Sequence, residues 1–172
     1  MKISAKTITY DAMLAAMCAV LGCFSVDMGN LKISIESFPI LLGALCFGPS
    51  DGLLIALAGT FISQLIMYGL SVTTIVWMAP YLIAALFIGC FAEKNNLDPG
   101  KKQLFLIVLF SELLIVVLNT GALFIDSKVF GYYSAVYVLG SVPVRCAIAA
   151  IRIVLYFAAL PPVIKTVKKL YS

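Results

Sequence analysis

Four polar side chains stand inside two otherwise apolar stretches near the C-terminal end of this 172-residue chain. Glu112 and Asn119 lie in SELLIVVLNTGALF, and Arg145 and Arg152 lie in GSVPVRCAIAAIRIV. Each pair is seven residues apart, two turns of helix, so each pair shares one helix face. A charge in mid-bilayer costs on the order of 2.5–3.5 kcal/mol on insertion scales, so it persists beside a partner, a water-filled cavity or a ligand. If the two helices cross a bilayer antiparallel, Glu112 lies level with Arg152 and Asn119 level with Arg145. The first combination reads as a mutually neutralised structural ion pair. The second sets Arg145 beside an amide with no carboxylate at its level, an arrangement suited to an anionic or carbonyl-rich solute.

The elements that position these groups follow from composition. The chain is 63% hydrophobic and 12% charged, with a mean hydropathy of +1.10, whereas soluble domains carry roughly 25% charge. This is the composition of an integral membrane protein with one domain's length. The net charge of +4 comes from flanking lysines and not from a nucleic-acid surface. No His is present, and Cys18, Cys23, Cys46, Cys90 and Cys146 all sit in apolar runs without a CxxC spacing. Zinc, haem and a disulfide framework are therefore not expected, and the thiols read as buried and inert. The Ala19–Cys23 run resembles a lipoprotein cleavage box, but Asp11 interrupts its approach and equally apolar segments follow, so it reads as a first span.

Runs of roughly 20 apolar residues mark spanning helices. Six are expected, over about 7–26, 32–47, 52–68, 74–92, 104–125 and 138–160, forming a single all-α bundle over residues 1–172. Alternation of Leu31, Ile33 and Ile35 with Lys32, Ser34 and Glu36 suggests a short strand or extended loop. The apolar run after Ser37 has only eleven residues, so the second helix is expected to borrow its outer turns from Lys32–Glu36. Gly48-Pro49-Ser50-Asp51-Gly52 reads as a tight turn with Asp51 as N-cap. Pro161-Pro162 reads as the end of the last helix. Eight lysines (2, 6, 94, 101, 102, 165, 168 and 169) fall on the side of the termini, against Lys32 and Lys128 on the other. The bias places both termini in the cytoplasm.

With that orientation, further candidates converge on the outer half. Gln64 and Tyr68 end the third helix, Trp77 and Tyr81 begin the fourth, and Lys32 and Glu36 lie in the first outer loop. Aromatic walls with a few hydrogen-bonding groups suit a flat heterocycle bearing an acidic appendage. For any one of these aromatics taken singly, the interfacial belt is the plainer account. No Walker motif, Gly-rich nucleotide loop or nucleophile–base pair is present, so no enzyme activity is expected. Two other readings stand beside solute capture: a small polytopic membrane enzyme, and an assembly subunit without a ligand. Ala12, Ala15, Ala16 and Ala19 form two small-xxx-small pairs that allow close approach of another helix.

Six short helices, cytoplasmic ends, that alanine stripe and a Gly-Pro-x-x-Gly turn resemble the S-component, the substrate-binding subunit, of an energy-coupling factor (ECF) vitamin transporter. LKISIESFPILLGALCFGPSDG, LNTGALF and VPVRCAI are most similar to the folate-type branch. SQLIMYGLSVTTIVWMAPYL departs from that branch's Pro/Phe-rich turn, which leaves pterin-like, pyrimidine, pantothenate and deazapurine solutes open. The resemblance implies a multi-pass protein of a bacterial plasma membrane. It implies docking of the alanine stripe on a transmembrane T-component, with two partner ATPases hydrolysing ATP and no cofactor on this chain. It further implies ligand binding beneath segments 27–37 and 69–73, with Asn119 and Arg145 as the foremost contacts, and release by toppling of the subunit.

Overall fold

The computed structural model describes residues 5–27 and 32–171. Seven helices are formed among the described residues: α1 (Ala5–Cys23), α2 (Ser37–Phe47), α3 (Pro49–Tyr68), α4 (Thr74–Lys94), α5 (Lys101–Val129), α6 (Ala135–Gly140) and α7 (Val142–Tyr171). Between α1 and α2, β1 (Val26–Asp27) pairs antiparallel with β2 (Lys32–Ile33) in the register Val26↔Ile33. Five stretches are long and apolar enough to cross a membrane: α1, α3, α4, α5 and the continuous run Ala135–Leu170. α2 is not among them. Its eleven residues cover only about 16 Å.

The expected 32–47 helix is therefore corrected to Ser37–Phe47, because residues 32–33 give their backbone to the hairpin and Glu36 occupies the N-cap position. The strand alternative for that segment matches the structure. α2 has no need to span, because it is the core: Ile40, Leu41, Ala44 and Leu45 are buried on every side, with α1, α3, α4 and α7 packed around it. The mid-helix backbone groups bond within α2, and at its ends the Phe38 N–H donates to the Ile35 carbonyl and the Ala44 carbonyl accepts from the Gly48 N–H, so a short helix is acceptable at membrane depth. The outer faces of α3, α4, α5 and α7 carry exposed Leu, Ile, Val and Phe, the surface a bilayer requires.

Two other expectations change. Gly48, at φ 101°, is the N-cap of α3 with Pro49 at its first position, and Asp51 sits buried in the first turn. Glycine adopts that left-handed conformation without the steric cost a Cβ brings, and proline suits the first helical turn because its missing N–H has no partner there. Pro161-Pro162 does not end the last helix, which continues to Tyr171. Leu160 and Ile164 flank the prolines and are buried in the core, so packing outweighs the local loss of hydrogen bonds.

The cysteine expectation holds for two residues. Cys18 and Cys46 are buried, Cys23 is half-buried, and Cys90 and Cys146 are exposed on the outer face; all five are free. The alanine stripe is likewise split. Ala15 and Ala19 are buried, while Ala12 and Ala16 face outward. The cause is close packing of α1 on α3: a Cβ on Gly59 would stand 2.5 Å from the Cys18 Cβ and 3.0 Å from the Ala15 carbonyl oxygen.

The helix ends define two poles. At the base, Tyr10 stacks on Phe47 with centroids 5.8 Å apart, and Lys168 Nζ donates to the Leu97 carbonyl and lies 2.8 Å from Asp98 Oδ1. Asn96 and Leu97 take positive φ values of 53° and 56° in this turn between α4 and α5. The Lys168 hydrogen bond, and then its charge, hold the exposed Asp98 carboxyl below its ordinary value. That contact is present above the ordinary carboxylate range and is lost as pH falls through the lowered value. The opposite pole, where α3 passes to α4 and α5 to α6, forms the mouth.

Candidate functional site

A cavity of about 310 Å³ opens at the mouth, at the lower end of the roughly 300–1,000 Å³ typical of small-molecule sites. Seven of the eight sequence-derived solute candidates line it: Glu36, Gln64, Tyr68, Trp77, Tyr81, Asn119 and Arg145. The eighth, Lys32, has its backbone in β2, and its side chain lies outside the described residues. α3 supplies Gln64 and Tyr68 from its last turns, α4 supplies Trp77 and Tyr81 from its first, and α5 supplies Asn119. α7 supplies Arg145 just after the break at Ser141, whose carbonyl accepts from the Arg145 backbone N–H at 3.0 Å.

Several further members of the site are not evident from the sequence. Ser71, Thr73, Asp126, Phe130, Tyr132 and Tyr137 also line the cavity. Asp126 and the tyrosines fall between the expected helices 104–125 and 138–160, whereas α5 extends to Val129 and turns Asp126 inward from its last turn. The available signal is a lone acid set among aromatics in DSKVFGYY.

Asp126 organises the mouth. Trp77 Nε1 donates to Asp126 Oδ1 at 3.2 Å, and Tyr132 donates its hydroxyl to Oδ2. One carboxylate thus fixes the indole of α4 against α5 and holds the loop that follows α5. Hydrogen bonds to an ionised acceptor are worth about 1.5–3 kcal/mol. Trp77 is the chain's single tryptophan, which makes it a reporter of this arrangement. Asp126→Ala should shift Trp77 emission and weaken ligand binding by about 1.5–3 kcal/mol; an unmoved spectrum with unchanged binding would show that Asp126 does not position the indole.

A second network forms the floor, about 10 Å deeper by the seven-residue step from Arg145 to Arg152. Arg152 Nη2 lies 3.0 Å from Glu112 Oε2, and Arg152 Nη1 points to the Ser34 carbonyl at 3.4 Å. Ser37 Oγ donates to Glu112 Oε1 at 3.1 Å. A serine hydroxyl has one proton, so at its 2.8 Å contact with Tyr156 the tyrosine is the donor. Ser34 Oγ donates to Glu36 Oε1 at 2.9 Å, and Tyr81 donates to the same oxygen. Each acid in the cavity wall, Glu36 and Asp126, thus accepts a tyrosine hydroxyl.

The Glu112–Arg152 pair that the spacing predicts is present, and Glu112 is fully buried. Arg152 does more than pair, since it also lines the cavity. The four polar groups of α5 and α7 therefore meet one continuous site. Asn119 and Arg145 lie half-buried towards the mouth, Arg152 on the floor and Glu112 behind it. The aromatic sides, one amide each from α3 and α5, and a guanidinium can clasp a planar ring and hydrogen-bond its edge. No cluster of metal-ligating side chains occurs among the described residues.

Comparison with known proteins agrees with this architecture. The crystal structure of the S-component for biotin from an ECF-type ABC transporter matches with a TM-score of 0.62 over 89% of each chain, at 17% sequence identity. Such a likeness establishes a common fold. A comparison with curated protein sequences finds no match. The family model for the ECF-type riboflavin transporter S component matches residues 2–164. The chain belongs to the family of ECF-type riboflavin transporter S components, the membrane-embedded, substrate-binding subunits of vitamin transporters.

Proposed function

We propose that this chain captures a vitamin with a flat, carbonyl-bearing heteroaromatic ring, riboflavin foremost, and delivers it through an ATP-driven importer. The observation that carries this reading is the position of Trp77, held edge-on by Asp126 beside a cavity that also presents Gln64, Asn119 and Arg145. An aromatic wall takes the ring face, and amide and guanidinium donors take carbonyl oxygens along the ring edge. The lysine-rich base faces the cytoplasm by the positive-inside bias, so the mouth faces outward. Lacking any phosphate-binding loop in its sequence, the chain relies on partners for energy: a transmembrane T-component and two ATPases. With Ala15 and Ala19 turned inward, Ala12 and Ala16 remain as the small residues that α1 offers to such a partner.

Folate is the second reading, favoured by LNTGALF and VPVRCAI, which carry Asn119 and Arg145. Equilibrium dialysis of the purified protein against riboflavin, folate and biotin separates the readings. Saturable one-to-one binding of riboflavin, with biotin unbound, is the expected result. Binding of folate alone would transfer the assignment to the second reading. Binding of biotin alone, whose ring system is saturated, would overturn the heteroaromatic reading.

A further inference from the structure

We infer that the base of the molecule carries a binding site for one anionic phospholipid, in the groove between α5 and α7. This groove has a volume of about 520 Å³ and is lined by Lys101, Lys102, Phe105, Leu106 and Phe157. It lies at the pole opposite the vitamin cavity and shares no residue with it. Phe105 of α5 and Phe157 of α7 meet edge to face with centroids 5.4 Å apart and planes at 84°. The two rings join the helices and give the groove an aromatic wall. Phe105 and Leu106 remain 41% and 45% exposed, so the groove is uncovered by any described part of this chain.

The occupant follows from how polarity is ordered along the groove. On α5 the two lysines come first, and Phe105 and Leu106 follow about one turn, roughly 5 Å, deeper. On antiparallel α7 the lining residue is Phe157, which lies at the depth of Phe105. Cationic groups above and hydrocarbon below complement a phosphate headgroup with its acyl chains. No carboxylate lines the groove. Asp98, the acid of the neighbouring turn, is engaged by Lys168. Among the described residues neither Lys101 nor Lys102 makes an ion pair or a side-chain hydrogen bond. Because α5 and α7 lie within membrane-spanning stretches, the groove faces lipid, and a phospholipid reaches it without leaving the bilayer. Lysines near an anionic headgroup add to the attraction that buried acyl area supplies.

The test is native mass spectrometry of the full chain released from micelles containing equal amounts of phosphatidylglycerol and phosphatidylcholine. The expected result is one retained phosphatidylglycerol, favoured over phosphatidylcholine by on the order of tenfold. The double variant Lys101→Gln, Lys102→Gln should bring that preference to about twofold or less, since both lysines lie on the surface where substitution leaves the fold intact. Lys128→Gln, an exposed lysine at the mouth, should leave the preference unchanged. Phe157→Ala should lower retention of both lipids. Equal retention of the two lipids by the unaltered protein would overturn the assignment. So would a preference that survives the double lysine substitution, or a lipid-free dimer whose assembly is abolished by it.

Discussion

Arg145→Ala should weaken capture of the vitamin by about 1.5–3 kcal/mol, the range for hydrogen bonds in which one partner is charged. At 1.4 kcal/mol per factor of ten, that is a loss of roughly ten- to 150-fold in affinity. The guanidinium lies half-buried on the cavity wall near the start of α7, within electrostatic reach of Tyr81 and Tyr137. Its planar donors suit carbonyl and carboxylate oxygens, which a lysine ammonium meets only as a point charge. Arg145→Lys should therefore recover only part of the loss. Thermal unfolding of the ligand-free Arg145→Ala protein should stay close to that of the parent, because the side chain stands at the mouth and not in the core. Equilibrium dialysis reads the affinity. An unaltered dissociation constant in a folded Arg145→Ala protein would remove Arg145 from the site.

Glu112 behaves in the opposite way. Glu112→Ala should destabilise the protein by about 3–5 kcal/mol, because Arg152 is left as a buried charge without its ion-pair partner. The loss reaches further than one pair, since Ser37 loses the acceptor for its proton and Tyr156 sits behind Ser37 in the same chain of bonds. Glu112→Gln retains an acceptor for Ser37 and should fall between the two. Replacing both partners at once, as in Glu112→Leu with Arg152→Met, should restore much of the stability, since buried ion pairs often exchange for apolar packing at little cost. Its vitamin affinity should still fall, because Arg152 lines the cavity and Glu112 does not. Melting temperature separates these variants. A single Glu112→Ala protein that melts with the parent would show that the pair is not a structural element.

Much of this arrangement is legible in the sequence, because a bilayer makes polarity informative. Glu112, Asn119, Arg145 and Arg152 stand out against apolar neighbours, and their seven-residue spacing sets both face and depth. That is why the pairing of Glu112 with Arg152, and the meeting of Asn119 and Arg145 at one cavity, can be read from spacing. Asp126 escapes for a physical reason. It sits where a helix end and a loop are indistinguishable by hydropathy, and its role depends on Trp77, 49 positions earlier in the chain. α2 escapes for another. Its apolar residues carry no periodicity because every face is buried, so its short length reads as a missing outer turn. The alanine stripe shows the limit of small-residue patterns: Ala12, Ala15, Ala16 and Ala19 look equivalent in sequence, and the close approach of α3 at Gly59 divides them. Ligand identity is the least legible feature. Ring-stacking walls and amide donors define a class of solute, while the branch-specific motifs and the family model point to different members of it.

A mouth cavity built to hold a heteroaromatic vitamin should yield that vitamin with the purified protein. The most direct measurement is mass spectrometry of the small molecule carried through purification of the full chain from its native membrane. The expectation is one flavin or other flat heteroaromatic vitamin per protein, and none on the Arg145→Ala variant. A bound solute without an aromatic ring would contradict it, as would the same heteroaromatic retained undiminished when Arg145 is removed.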